Sequence, residues 1–284
     1  MNRNMMMQAG STDPRLLTEA RLQAHSATQW LARITRSYIP AKPDDSHTSL
    51  TWSQNDQAML THYLPNNTAF GLVMSELVLF CVHPDGYSHE IHLDDKTDEE
   101  IGEWVEDQLA QTDLDPEELE RELPYKIPHH PVQSGSPYDT IDSAIALQEL
   151  GLWYSDAQKI LFNVGRELSA KSLNVSMVRC WPHHFDMAFL IHLRSPSPDF
   201  TPIIGVGMSP GDNFYSEPYF YVTPWPYLKP VSLPELPFVG HWHVEGFVGA
   251  IALGTRIIEH DFRERVLVTF LKEAITVGQN RLVI

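Results

Sequence analysis

The spacing of apolar residues changes along the chain, and each change marks a predicted element. Over residues 16–38 it is helical, with Leu17, Ala20, Ala24, Ala27, Leu31 and Ile34 recurring every three or four positions. Pro40 and Pro43 end that stretch. Short β-rich runs follow at 49–52 and 58–64, with Pro65-Asn66-Asn67 as a turn. Residues 69–82 read as one long bulged strand or as two strands meeting near Ser75-Glu76. Pro84-Asp85-Gly86 is a turn, and 87–93 alternates well enough to pair back as a hairpin. Thr97 and Glu100 form a capping box for a helix that places Ile101, Trp104, Val105 and Leu109 on one face. Asp115-Pro116-Glu117-Glu118 starts a second, short helix.

The segment 124–137, rich in Pro, His, Ser and Gly, reads as an internal boundary. Residues 139–170 are helical, but Gly151 and a second capping box at Ser155-Asp156-Ala157-Gln158 predict two helices meeting near 151–155. Strands are expected at 174–180, 185–193 and 203–208, with a turn at 181–184 and a Pro/Ser loop at 194–202. Residues 218–222 form a short aromatic strand that its prolines should keep at a sheet edge or end. Proline-rich 225–237 is a loop, 239–253 is extended, and a final helix over 261–277 stops at Gly278.

Hairpin-length strands with helices before and after them predict an α+β fold: antiparallel sheets flanked by helices, in two halves of similar element order. The expected organisation is a disordered N-terminus (1–14), an N-terminal helix–strand–helix half (15–130) and a C-terminal half (131–284), the two halves also being readable as one continuous domain.

Charge narrows the partners. Of 284 residues, 37 are Asp or Glu against 20 Lys or Arg, a formal net charge of -17. Such a surface repels phosphate backbones and anionic lipid, so neither nucleic acid nor membrane is expected as a partner, and a small-molecule ligand is. The apolar runs are too short to span a bilayer and the N-terminus lacks a signal-peptide core, so a soluble, cytoplasmic protein is expected. Cys81 and Cys180 read as buried thiols in a reducing compartment.

Chemistry concentrates between Arg179 and Glu245. If His241-x-His243-x-Glu245 is a strand, its three polar side chains share one face, with neighbours ~6.5–7 Å apart. With His184 they make a candidate metal set for zinc, iron or manganese, a divalent cofactor. His184-x-Asp186 with a distant His241 or His243 also has the composition of a facial triad. Asp186, Asp212 and Glu217 are the candidate catalytic carboxylates; Glu217 lies beside the aromatic strand, where burial raises a carboxyl pKa. Ser209-Pro210-Gly211-Asp212 is a turn by composition. Tyr215, Tyr219, Tyr221, Trp225, Tyr227 and Trp242 supply aromatic wall.

On Trp181-Pro182-His183-His184-Phe185-Asp186, Ser209-Pro210-Gly211-Asp212 and Glu217-Pro218-Tyr219-Phe220-Tyr221-Val222, the C-terminal half resembles bacterial protein families of unassigned function. The resemblance implies no activity. In one such family the first motif looks like Trp-Gly-x-Phe-Asp, which implies that Asp186 and the aromatics are the shared feature. Two functions are expected from the residues: a small-molecule enzyme with a His/carboxylate site, metal-dependent in one version and hydrolytic or oxidative, or a non-catalytic binding protein with an aromatic pocket. The sequence sets no oligomeric state.

Overall fold

The structure, a computed structural model, describes residues 7–194 and 201–282. It is α+β, with two antiparallel sheets flanked by helices. The chain divides into two compact units. The first comprises residues 16–155 and 179–185; the described residues of the second are 7–15, 156–178, 186–194 and 201–282. The division is therefore not at 130/131. The proline-rich segment placed there as a boundary is part of the first unit, where Tyr125 Oη donates to Gln29 Oε1 (3.0 Å) and His130 Nε2 lies 2.8 Å from Glu19 Oε1.

The first unit is built on α1 (Thr18–Tyr38). The helix is buried on most of its surface, so its polar residues find internal partners: Gln23 Nε2 reaches the Asp139 carbonyl (3.1 Å), and Thr28 and Thr35 bond back to the carbonyls of Ala24 and Leu31. A meander follows in sequence order: β1 (Thr51–Ser53), β2 (Ala58–Leu60), β3 (Ala69–Val73), β4 (Val78–Val82) and β5 (Ser88–His92). Residues 69–82 are thus two strands, turned at 74–77 with Leu77 at φ 48°. The capping box of α2 (Asp98–Gln111) forms as expected: Glu100 N–H donates to Thr97 Oγ1 (3.3 Å) and Thr97 N–H to Glu100 Oε2 (2.9 Å). The short helix at Pro116–Glu118 is a 3-10 turn.

One continuous helix, α3 (Ala144–Ala170), replaces the two predicted around 151–155. The residues that read as punctuation have other partners. Gly151 packs against Gln57 and Met74, where an added Cβ would be in ordinary contact (3.4 and 3.7 Å), and the helix runs through it. Ser155 Oγ accepts from Trp52 Nε1 (3.3 Å) instead of capping. β6 (Asn174–Val175) belongs to the second unit, whereas β7 (Arg179–Trp181) returns to the first, where Leu50 and Cys180 exchange two backbone hydrogen bonds of 2.8 Å. Cys81 and Cys180 are both buried thiols.

The second unit contains β8 (Asp186–His192), β9 (Ile203–Ser209), β10 (Tyr219–Trp225), β11 (Gly240–His243), β12 (Gly249–Leu253), α4 (Gly254–Ile258) and α5 (Arg263–Leu282). Its sheet runs β11-β12-β10-β9-β8-β6, a different order from the first unit's meander. The aromatic strand β10 is central, paired to β9 and β12, and not at an edge. Its prolines do no damage: Pro218 precedes the strand, and Pro224 lies beyond Val222, the last residue paired to β12. Gly278 does not stop α5. It sits inside the helix, where an added Cβ would be 3.0 Å from Ile204 Cδ1, so it lets the helix settle onto the sheet. Most of the 194–202 loop lies outside the described residues, and no helix among those described is long and apolar enough to cross a membrane.

The N-terminal segment is a further correction, since residues 7–14 are ordered; 1–6 lie outside the described residues. Ala9 is fully buried. The buried Asp156 carboxylate accepts the N–H groups of Gln8 (2.6 Å) and Ala9 (2.9 Å), and Arg263 Nη1 holds the Ala9 carbonyl (2.9 Å). One carboxylate gathering two backbone donors makes charge-assisted bonds of about 1.5–3 kcal/mol each. Asp156→Ala should therefore lower the unfolding free energy by about 2–4 kcal/mol and abolish hydrogen-exchange protection at Gln8 and Ala9. Retained protection at those amides would show that the carboxylate is not what anchors the segment.

Candidate functional site

Strand register sorts the second unit's sheet into two unlike faces. Met187, Phe189, Ile204, Val206, Met208, Phe220, Val222, Ala250 and Ala252 fall on one face. This apolar face receives the helices: Gly165 of α3 comes down beside Phe189, and Gly278 of α5 beside Ile204 and Pro224. On the other face the register aligns Ala188, Gly207, Tyr221, Ile251 and His241 across five strands. Alternation adds Asp186, Tyr219 and His243 to it.

Gly207 shapes this polar face. It is paired to Tyr221, and a Cβ there would lie 2.6 Å from both Tyr221 Oη and the Met187 carbonyl oxygen. The phenol ring occupies that space and donates its hydroxyl to the buried Asp186 Oδ2. Burial, reinforced by the Asp186 charge, holds Tyr221 well above the usual phenol pKa. The neighbouring Tyr219 hydroxyl donates to Asp212 Oδ2 (2.6 Å), and burial, then that hydrogen bond, raises its pKa.

Asp212 sits in the loop between β9 and β10. Ser209-Pro210-Gly211-Asp212 forms the expected turn, with Gly211 at φ 117° and its N–H on Ser209 Oγ (3.2 Å). Asp212 Oδ1 accepts the N–H groups of Phe214 (2.8 Å) and Tyr215 (2.9 Å), which fixes Tyr215 over the strands. Tyr215 Oη then lies 3.1 Å from His241 Nε2 and 2.8 Å from His243 Nδ1.

The bonding pattern assigns the tautomers. His243 Nε2 contacts the backbone carbonyl of Glu245, which can only accept, so Nε2 carries the proton. His243 Nδ1 is then the acceptor for the Tyr215 O–H, and the Tyr215 oxygen accepts from His241 Nε2–H. Burial, followed by the neighbouring His243, lowers the His241 pKa. Burial, then the Asp212 charge, raises that of Tyr215. Phe247 stacks on the His243 ring at 4.2 Å and Phe214 meets it edge-on at 5.0 Å.

The remaining predicted residues are placed as follows. β11 ends at His243, so only the two histidines share the strand face; Glu245 is exposed past its end, next to Gly246 at φ 81°, and acts through its backbone oxygen. The Glu217 carboxylate accepts Thr255 N–H (2.6 Å) and Oγ1–H (3.1 Å), which caps the start of α4 and explains its burial. His184 is in the first unit. Among the described residues, no three His, Cys, Asp or Glu side chains are grouped to hold a metal ion.

In the first unit, residues 181–185 form a tight turn closed by Phe185 N–H on the Trp181 carbonyl (2.7 Å), with Phe185 at φ 54°. His25 and Gln29 of α1 both donate to the Pro182 carbonyl, at 2.9 and 3.0 Å. The His25 ring stacks on Phe185 at 4.9 Å, and Tyr154 Oη holds the Phe185 carbonyl (2.6 Å). Burial brings His25 down to about 4 and, with His184 beside it, His183 to about 4. Sequence reasoning missed His25 and the role of Tyr215. His25 stands on a helix among apolar residues, and Tyr215 reads as one more aromatic in a loop.

Comparison with protein-family models, curated proteins and solved structures finds no match for this chain.

The lowered His25 pKa sets a pH dependence. The unfolded chain protonates this group near 6.5, the fold only near 4, so between those values the unfolded state binds more protons. Stability is complete above pH 6.5 and falls as pH drops toward 4, by on the order of 3 kcal/mol for this residue. Urea unfolding across that window should show the slope in the wild type and a reduced one in His25→Gln. An identical slope in both would remove His25 as the cause.

Proposed function

We propose that the protein is a small-molecule enzyme that moves protons along His241, Tyr215 and His243. The observation that carries this reading is the hydrogen-bonded chain His241–Tyr215–His243–Glu245 carbonyl, each link between 2.5 and 3.1 Å. An exposed His241 at the sheet edge, kept neutral by its lowered pKa, suits a general base at physiological pH.

His241 Nδ1 takes a proton from the attacking group. Its Nε2 proton passes to the Tyr215 oxygen as the phenol proton passes to His243 Nδ1. The positive charge then rests on His243, whose Nε2–H points at a carbonyl dipole. The relay run backwards returns the proton to the leaving group. This suits hydrolysis of an ester or lactone, in which a base deprotonates water and an alkoxide must be reprotonated. His243 uses both ring nitrogens, on Tyr215 and on the Glu245 carbonyl, while His241 keeps Nδ1 for the substrate. Asp212 positions Tyr215 through its N–H, and Phe214 and Phe247 supply an apolar wall. Asp186 holds Tyr221, and Glu217 holds the start of α4; both are positioning residues in this reading.

The test is a panel of aryl esters and lactones with wild type, Tyr215→Phe and His241→Gln. Turnover by the wild type should fall by about 10²–10⁴-fold in kcat in both variants, with KM nearly unchanged. The acid limb of kcat/KM should inflect below the ordinary histidine value. Ligands that bind without turnover, or a Tyr215→Phe enzyme as fast as wild type, would favour the alternative of a non-catalytic binding protein.

A further inference from the structure

The first unit holds a cavity of about 390 Å³ that the proposed reaction does not use. Its walls come from three places within the unit: Gln29 and Arg33 of α1, Asp98 in the first turn of α2, and Arg121, Tyr125 and Lys126 of the irregular segment after α2. On a chain of net charge -17, three permanent cations here face one carboxylate.

That carboxylate is already engaged. Asp98 Oδ1 accepts from Trp30 Nε1 (2.8 Å), and Oδ2 lies 3.5 Å from Arg33 Nη1, too far for a good hydrogen bond. The Arg33 guanidinium is fixed in place. It lies 4.3 Å over the Trp30 ring, and its Nε donates to the Arg121 carbonyl (3.0 Å). Its Nη1 is nevertheless shut away from solvent without a hydrogen-bond partner among the described residues. That nitrogen faces Asp98 and is closed to water, so a ligand in the cavity would meet the other end of the guanidinium, Nη2. Arg121 is paired with Glu106 at 2.5 Å, whereas Lys126 has no ion-pair partner among the described residues. Arg33 Nη2 and Lys126 Nζ make no hydrogen bond or ion pair among the described residues, whereas the Arg121 charge is already balanced at close range by Glu106. Around them the wall is apolar: Leu123, Ile127 and the ring of Tyr125, whose hydroxyl is tied to Gln29 Oε1.

We infer that this cavity binds a small organic anion, with Arg33 and Lys126 holding a carboxylate or phosphate group and the apolar wall covering the body that bears it. The volume falls in the range of small-molecule pockets, and the mixed wall excludes a fully solvated ion as the best occupant. Arg33 offers a rigid, bonded fork, and Lys126 a mobile point charge from the rim. The site is independent of the relay in the second unit.

Calorimetric titration of the full chain tests it with four probes of one shape: benzoate, phenyl phosphate, benzylamine and benzyl alcohol. Benzoate or phenyl phosphate should bind, and the tighter of the two identifies the anionic group; benzylamine and benzyl alcohol should not. Lys126→Gln, at an exposed position, should weaken anion binding roughly tenfold without changing Tm, and Arg33→Lys should weaken it further. His241→Gln should leave binding untouched. The inference is overturned if neither anion binds, if benzylamine binds as well as benzoate, or if Lys126→Gln binds like wild type.

Discussion

The polar face of the second unit depends on one missing Cβ. With a side chain at 207, the Tyr221 ring would have to lift by the better part of an ångström or more, because both the Met187 carbonyl and the phenol oxygen stand 2.6 Å from where that carbon would go. Lifted, its hydroxyl loses Asp186. Tyr219 stands beside Tyr221 at 6.3 Å between ring centroids, and Tyr215 beside Tyr219 at 5.1 Å, so the three phenols form a row in which each limits the next. Asp212 ties the second and third together, accepting the hydroxyl of Tyr219 and the N–H of Tyr215. A glycine on β9 thereby helps set where a tyrosine in the next loop meets two histidines on the sheet edge.

The row changes character along its length, and burial is the reason. At the Asp186 end both the surroundings of the Tyr221 hydroxyl and its carboxylate partner favour the protonated form. A group so far above the usual phenol range holds its proton and works as a strut. At the β11 end Tyr215 is half-buried and His241 exposed, which is where the proposed relay would exchange protons with a ligand. In the proposed reading the chemistry is at the β11 end, and the three carboxylates that stand out in the sequence act as supports. Asp212 and Glu217 each satisfy backbone N–H groups, which is what short acidic side chains in loops commonly do.

Much of the fold was legible where local chemistry decides it. The Thr97 capping box, the Ser209–Asp212 turn and the helical face of 101–109 depend on residues within a few positions of one another. The misreadings share one cause, a long-range partner. Ser155-Asp156 has the composition of a helix start, yet Asp156 is claimed by amides 147 and 148 residues away, and the helix runs through. Gly278 looks like a stop until Ile204 and Pro224 are laid against it. Pro218 and Pro224 argue for an edge strand, but both miss the positions where β12 needs a donor. At the site, strand alternation correctly put His241 and His243 on one face. It failed at Glu245 because the chain leaves the sheet after His243, and no side-chain pattern marks that departure except Gly246.

The two histidines then acquire a meaning that a ligand count cannot supply. As metal ligands, both imidazoles would need a nitrogen lone pair converging on one point. Here the Glu245 carbonyl takes the Nε2 proton of His243, which leaves the Nδ1 lone pair facing a phenol proton, and the same phenol oxygen takes the Nε2 proton of His241. Every polar atom between the rings has its donor or acceptor, in one consistent direction. In the proposed relay that directionality carries the proton, and the outer nitrogen of His241, on an exposed side chain, is where a substrate would enter.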